Sequence, residues 1–254
     1  MNEKNSVKVK RLVGLAILTA LVVVLQLLGN FVPNFGNGYA LGLVPIAVGA
    51  ILYGPLAGAF LGLVMGIIVA TNPANYSAFT AVGLDVFKLL VVMFVKSTLA
   101  GLVSGYVYKL FASIARGRES KVSKYVWFVV AVATAAIIVP IINTSLYAIL
   151  FGTFFGPLAS EGGYSLAASM AEASEATGKV YNSAVTYLFA ALIGINFVIE
   201  LAISIVASPA IVVIIKAVSR NSDLGFKNEF SDLVEAKEDN DYSNNNSEVF
   251  KDLK

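Results

Sequence analysis

Four residues carry polar chemistry inside otherwise apolar stretches of the chain: Lys96, Asn143, Asn196 and Glu200. Each falls in a run long enough to cross a bilayer, where an ionisable side chain costs at least about 2.5 kcal/mol. Helical rise puts Lys96, Asn143 and Asn196 at about the same depth, roughly 13 to 17 Å below one surface. Glu200 follows Asn196 by four residues and so shares its helical face, one turn deeper. The spacing therefore predicts polar groups from three helices converging on one site that opens to that surface, where they would bind a ligand. A plainer arrangement uses the same residues: Lys96 and Glu200 pair with each other, and the asparagines satisfy backbone loosened by Pro140. Pairing of the two charges is expected either way.

The residue types that are missing bound the chemistry further. The sequence has no cysteine and no histidine, which removes thiol nucleophiles, structural zinc and Ser-His-Asp triads together. No clustered carboxylates suggest a metal, and nothing calls for a catalytic residue, a cofactor or a nucleic-acid partner. Nothing matches the G-x-x-x-x-G-K-[ST] phosphate loop, so any ATP hydrolysis that drives this protein belongs to another subunit.

Of the 254 residues, 57% are hydrophobic and 13% charged, against about 25% charged in a soluble domain. Mean hydropathy is +0.79. These values describe an all-α integral membrane protein, and the pattern along the chain predicts a compact bundle of six transmembrane helices. The first span covers about Leu12 to Leu28 and has no persuasive cleavage site, so it reads as a retained helix. The second covers about Ala40 to Tyr53, with Pro45 as a possible kink. A tight turn at Tyr53 to Pro55 leads into the third, which ends near Ala70. The fourth runs from about Asp85 to Tyr108, the fifth from Tyr125 to Phe151 around Pro140, and the sixth from Val185 to Val218 around Pro209. Residues 1–11 form a basic N-terminus, 12–219 the helical domain and 222–254 an acidic tail. The tail carries nine acids against four lysines and is expected to be disordered.

Basic residues gather before the first span, between Lys109 and Lys124, and after the sixth. The three opposite loops contain Lys179 alone. The positive-inside rule then makes both termini cytoplasmic. The opposite loops carry Phe31, Phe35, Tyr39, Tyr76, Phe79, Phe154, Phe155 and Tyr164, a possible lid over a small-molecule pocket. Anchoring in lipid headgroups accounts for the same aromatics. The connection from Thr153 to Ala184 is long, and its alanine-rich middle, Ser165 to Val180, suits a surface helix.

Small residues at four-residue spacing mark three helices. Gly58, Gly62 and Gly66 share one face of the third span, and Ser97, Gly101 and Gly105 one face of the fourth. Such stripes let helix backbones meet where packing drives association in lipid. Ala16 and Ala20 form a flat patch on the first.

With these motifs the chain resembles the substrate-binding S components of energy-coupling factor (ECF) vitamin transporters. The resemblance rests on Ala16 and Ala20, ILYGPLAGAFLGLVMG (Ile51–Gly66), KSTLAGLVSGYVY (Lys96–Tyr108), PIINT (Pro140–Thr144) and NFVIELAISIVASP (Asn196–Pro209). It implies a six-helix protein of a bacterial plasma membrane that captures a vitamin from outside. It further implies two ATPase subunits and a membrane coupling subunit as partners, with Ala16 and Ala20 packing against the coupling subunit. The long fifth connection and the acidic tail depart from the family pattern. Lys96 suits a carboxylate-bearing ligand such as pantothenate, whereas the asparagines and aromatics suit a neutral ring such as riboflavin. The expected ligand contacts are Lys96, Asn143, Asn196, Glu200, Phe35, Tyr39, Tyr76 and Phe79. A self-sufficient secondary carrier or channel is the alternative, but paired interrupted helices in two matching halves are not evident. A membrane enzyme lacks the necessary side chains.

Overall fold

The computed structural model describes residues 3–31, 39–72, 86–160, 174, 175, 178, 180 and 194–220. Among the described residues six helices follow one another: α1 (Glu3–Phe31), α2 (Leu43–Tyr53), α3 (Pro55–Thr71), α4 (Val86–Arg116), α5 (Lys121–Ser160) and α6 (Gly194–Arg220). No strand occurs among the described residues. α1, α4, α5 and α6 each hold a segment long and apolar enough to cross a membrane. α2 and α3 are shorter, 11 and 17 residues. Large apolar side chains point away from the bundle, such as Ile17 (57% exposed) and Val206 (77%). A water-soluble protein would bury them; a bilayer solvates them.

Local sequence explains where the helices begin and turn. Gly54 joins α2 to α3 at φ 95°, a left-handed conformation open to glycine and strained for side-chain-bearing residues. Pro55 follows at the first position of α3, where its missing N–H deprives the helix of nothing. Pro45 does not kink a second span. α2 starts at Leu43, so Pro45 lies in its first turn, where proline suits the helix geometry.

Several helices run past their expected ends. α1 continues back to Glu3 through the basic N-terminus. α4 extends through Lys109 to Arg116, so the expected basic loop shrinks to the four residues 117–120. The cause is visible in the packing: Tyr108, Ala112 and Ala115 recur at helical spacing and are buried. α5 likewise continues through Thr153 to Ser160, placing Phe154 and Phe155 on a helix where a loop was expected. Phe154 packs against the core. Residues 185–193, most of the expected surface helix and the acidic tail lie outside the described residues.

The bundle core is organised around α4, whose contacts with α5 and α3 are the most extensive in the molecule. Along the α3–α4 contact the two small-residue stripes face each other. A Cβ placed on Gly58 would overlap the Gly101 carbonyl, and one on Gly62 the Ser97 carbonyl. At Gly66 the same atom would come within 2.9 Å of the Met93 carbonyl, and at Gly105 within 2.5 Å of Pro55 Cα. α3 and α4 therefore touch backbone to backbone, as the stripes predict. On its other side α4 meets α5 through a buried hydrogen bond, Ser104 Oγ donating to the Ala135 carbonyl at 2.8 Å.

The ends of the bundle differ in charge. One end gathers Lys8, Lys10 and Arg11 of α1, Arg116 at the end of α4 and Arg118 beyond it, Lys121 and Lys124 of α5, and Lys216 of α6. There the single tryptophan, Trp127, stacks on Phe111 at 6.3 Å and receives Arg118 over its face at 5.0 Å. Lys216 sits 4.5 Å above the Tyr125 ring. Aromatic–cation girdles of this kind form where a bundle meets the headgroup region.

Candidate functional site

The contact of α3 with α4 fixes the polar site by fixing Ser97. Its carbonyl meets Gly62, which orients the turn of α4 that carries Lys96 and Ser97. Ser97 is fully buried and its hydroxyl donates to Asn143 Oδ1 on α5 at 3.2 Å. Lys96, one residue earlier, lies over the Tyr147 ring of α5, its Nζ 4.9 Å from the centroid. Lys96 is half-buried, and an ammonium on an aromatic face gains about 0.5 to 2 kcal/mol as it loses water. Asn143 and Tyr147 are four residues apart on one face of α5, so a single stripe of α5 serves both α4 residues.

Glu200 supplies the opposite charge. Its side chain is 8% exposed, and its charge and that of Lys96 act on each other. The Thr144 hydroxyl of α5 donates to its carboxylate. The backbone N–H of Ala40, in the connection between α1 and α2, donates to Oε1 at 3.1 Å. Glu200 is thus held by hydrogen bonds from α5 and the α1–α2 connection, with the Lys96 charge of α4 acting on it.

The network continues to α1. Tyr39 folds back on that helix, its N–H donating to the Gly29 carbonyl at 3.1 Å. Gln26, 2% exposed, donates from Nε2 to Asn30 Oδ1 at 3.1 Å and reaches the Tyr39 carbonyl at 3.5 Å. Its Oε1 is buried and has no partner among the described residues, and the same holds for Thr98 Oγ1. A Cβ placed on Gly42 would stand 3.4 Å from that Oε1, so α2 backbone closes one side of the amide. A buried acceptor left open in this way costs about 1–3 kcal/mol until a donor reaches it.

The structure brings Lys96, Asn143 and Glu200 together as the spacing predicts. Asn196 lies one turn before Glu200 on α6 and is half-buried. Tyr39 enters through its backbone. Phe35, Tyr76 and Phe79 lie outside the described residues. Sequence reading missed Gln26, although an amide in the middle of an apolar helix, one turn from Asn30, is a readable signal. Thr144 and Tyr147 were overlooked because hydroxyls and tyrosine rings are common in apolar helices. Ala40 contributes a main-chain group that no side-chain pattern reports. No cluster of three metal-binding side chains occurs among the described residues.

Comparison with known families decides the membership. The family model for the substrate-specific component of ECF transporters matches residues 10–215. The chain is an ECF S component. It is therefore a subunit of a transporter and not an enzyme, and the family works with ECF membrane and ATPase modules on a small-molecule substrate. No curated protein and no solved structure matches the chain. The matched segment of this S component contains every member of the polar network, from Gln26 to Glu200.

Proposed function

We propose that this S component captures a vitamin or related micronutrient, of the riboflavin or pantothenate class, from outside a bacterial cell for ATP-driven uptake. In this reading the chain crosses the plasma membrane six times, with α2 and α3 as the short crossings. The basic end faces the cytoplasm and the polar network faces out. Lys96, Asn143, Asn196 and Glu200 contact the ligand, joined by Gln26, and Phe35, Tyr39, Tyr76 and Phe79 cover it. Ala16 and Ala20, both exposed on α1, form the contact with the coupling subunit.

The observation that carries this reading is the buried network itself, in which charges and amides from α1, α4, α5 and α6 meet beside an unsatisfied acceptor. A few convergent polar groups inside an apolar frame are what fix a small ligand in orientation. The charges also bear on ligand class. The charge of Glu200 already acts on Lys96, so a carboxylate ligand would compete with Glu200 for it. An uncharged ligand needs only donors and acceptors, and this favours the riboflavin class over the pantothenate class. The test is mass spectrometry of small molecules co-purifying with the detergent-solubilised protein, followed by titration with riboflavin and with pantothenate. Tight binding of the neutral ligand supports the assignment. Tight binding of pantothenate alone reverses the ligand class, and recovery of no small molecule counts against the capture role.

A further inference from the structure

At the basic end of the bundle, away from the polar network, α1 and the α2–α3 turn border a shallow, open groove of about 410 Å3. It is charged at one end and apolar along the rest. Lys8 and Arg11 stand one turn apart on α1, both exposed. Beyond them run Leu12, Leu56 and Phe60, which are 67%, 79% and 46% exposed. Tyr53 forms the junction. Its hydroxyl lies against Gly14, where any Cβ would overlap it, and the charge of Arg11 acts on it. Glycine at position 14 therefore seats the phenol between the cations and the apolar walls.

The position in the membrane restricts what fits. The apolar span of α1 begins at Lys8, which sets the two cations at headgroup level. Leu15, also in the lining, lies about 10 Å further along the helix. A free anion could meet the two exposed cations but would make no use of the apolar walls. A phospholipid has both parts in the right order.

We propose that this groove binds an anionic phospholipid. The phosphate is held by Lys8, Arg11 and the Tyr53 hydroxyl, and one acyl chain lies along Leu12, Leu56 and Phe60. Within a bilayer the chain exchanges one apolar neighbour for another, so selectivity resides in the headgroup. Two near-surface cations give roughly a 30-fold preference for an anionic over a zwitterionic lipid. This site stands apart from the ligand assignment above, because it uses other residues at the other end of the bundle.

The experiment is native mass spectrometry of the full-length protein with equal amounts of phosphatidylglycerol and phosphatidylcholine. Wild type should retain phosphatidylglycerol with a preference near 30-fold. Lys8→Gln with Arg11→Gln should remove most of it, while the charge-matched control Lys109→Gln with Lys121→Gln should leave it intact. An unchanged preference in the first variant, or an equal fall in the control, would overturn the site in favour of a diffuse surface potential. Competition by glycerol phosphate, which lacks acyl chains, would overturn the lipid in favour of a simple anion. Photolabelling of wild type by phosphatidylglycerol with a diazirine in its acyl chain needs no variant. Label on the peptide carrying Leu56 and Phe60 supports the proposal, and label confined to other helices refutes it.

Discussion

Along α4, the face towards α3 and the face towards α5 are packed by opposite means. Towards α3 the side chains are left out, and glycines let the carbonyls of Ser97 and Gly101 press on Gly62 and Gly58. Towards α5 the space is filled with polar contacts: Ser97 bonds to Asn143, Ser104 bonds to Ala135, and Lys96 lies over Tyr147, with the charge of Glu200 on α6 acting on it. The first contact tolerates no added atom and offers nothing to a ligand. The second is built from groups that can change partners. A binding helix thus gains one fixed side and one responsive side.

Substitutions on the two faces should separate these roles, beginning with the charges. Glu200→Gln leaves the half-buried Lys96 ammonium without the opposite charge that acts on it, a loss of up to about 3 kcal/mol. It should appear as a large fall in thermal stability of the ligand-free protein in detergent. Adding Lys96→Met to Glu200→Gln should restore most of that stability, because an apolar pair needs no compensation. Equal instability of the single and double variants would mean that the two charges do not hold each other.

On the α3 face, Gly62→Leu forces a side chain into the Ser97 carbonyl and should cost about 3 kcal/mol. Size-exclusion profiles and thermal unfolding would report it, and no second substitution on α5 or α6 should rescue it. Tolerance of leucine would show that the two backbones can separate, which would erase the contrast between the faces. The mildest change joins them. Ser97→Ala keeps the small residue that α3 requires but removes the hydroxyl bonded to Asn143, and should cost about 1 kcal/mol. Its unfolding temperature should move far less than that of either earlier variant.

Lys96, Asn143 and Glu200 were legible in the sequence because charges and amides are rare in apolar runs and helical rise converts position into depth. The glycine stripes were legible for a similar reason: glycine weakens a helix in water, so three in a row at one face point to a close neighbour. Helix ends were harder to read. A bilayer's thickness sets the length of the crossing but not of the helix, and α4 and α5 continue beyond it while their apolar faces still find cover, as Ala112 and Ala115 do. Pro45 could be read as a kink until the start of α2 was fixed at Leu43. The hydrogen bond from Ala40 escaped because every residue but proline carries that donor.

That hydrogen bond also has a consequence in time. Ala40 and Glu200 are 160 residues apart in the chain, and translation at about 5 to 20 residues per second separates their synthesis by roughly 8 to 32 s. For the last 104 of those residues, roughly 5 to 21 s, the nascent protein carries Lys96 before its carboxylate has been made. The insertion machinery or a transient partner must shelter that charge until α6 arrives. Ribosomes that stall before Glu200 would release fragments that keep the glycine seam yet carry an unmatched cation, a mark by which a membrane protease could tell an unfinished chain from a finished one.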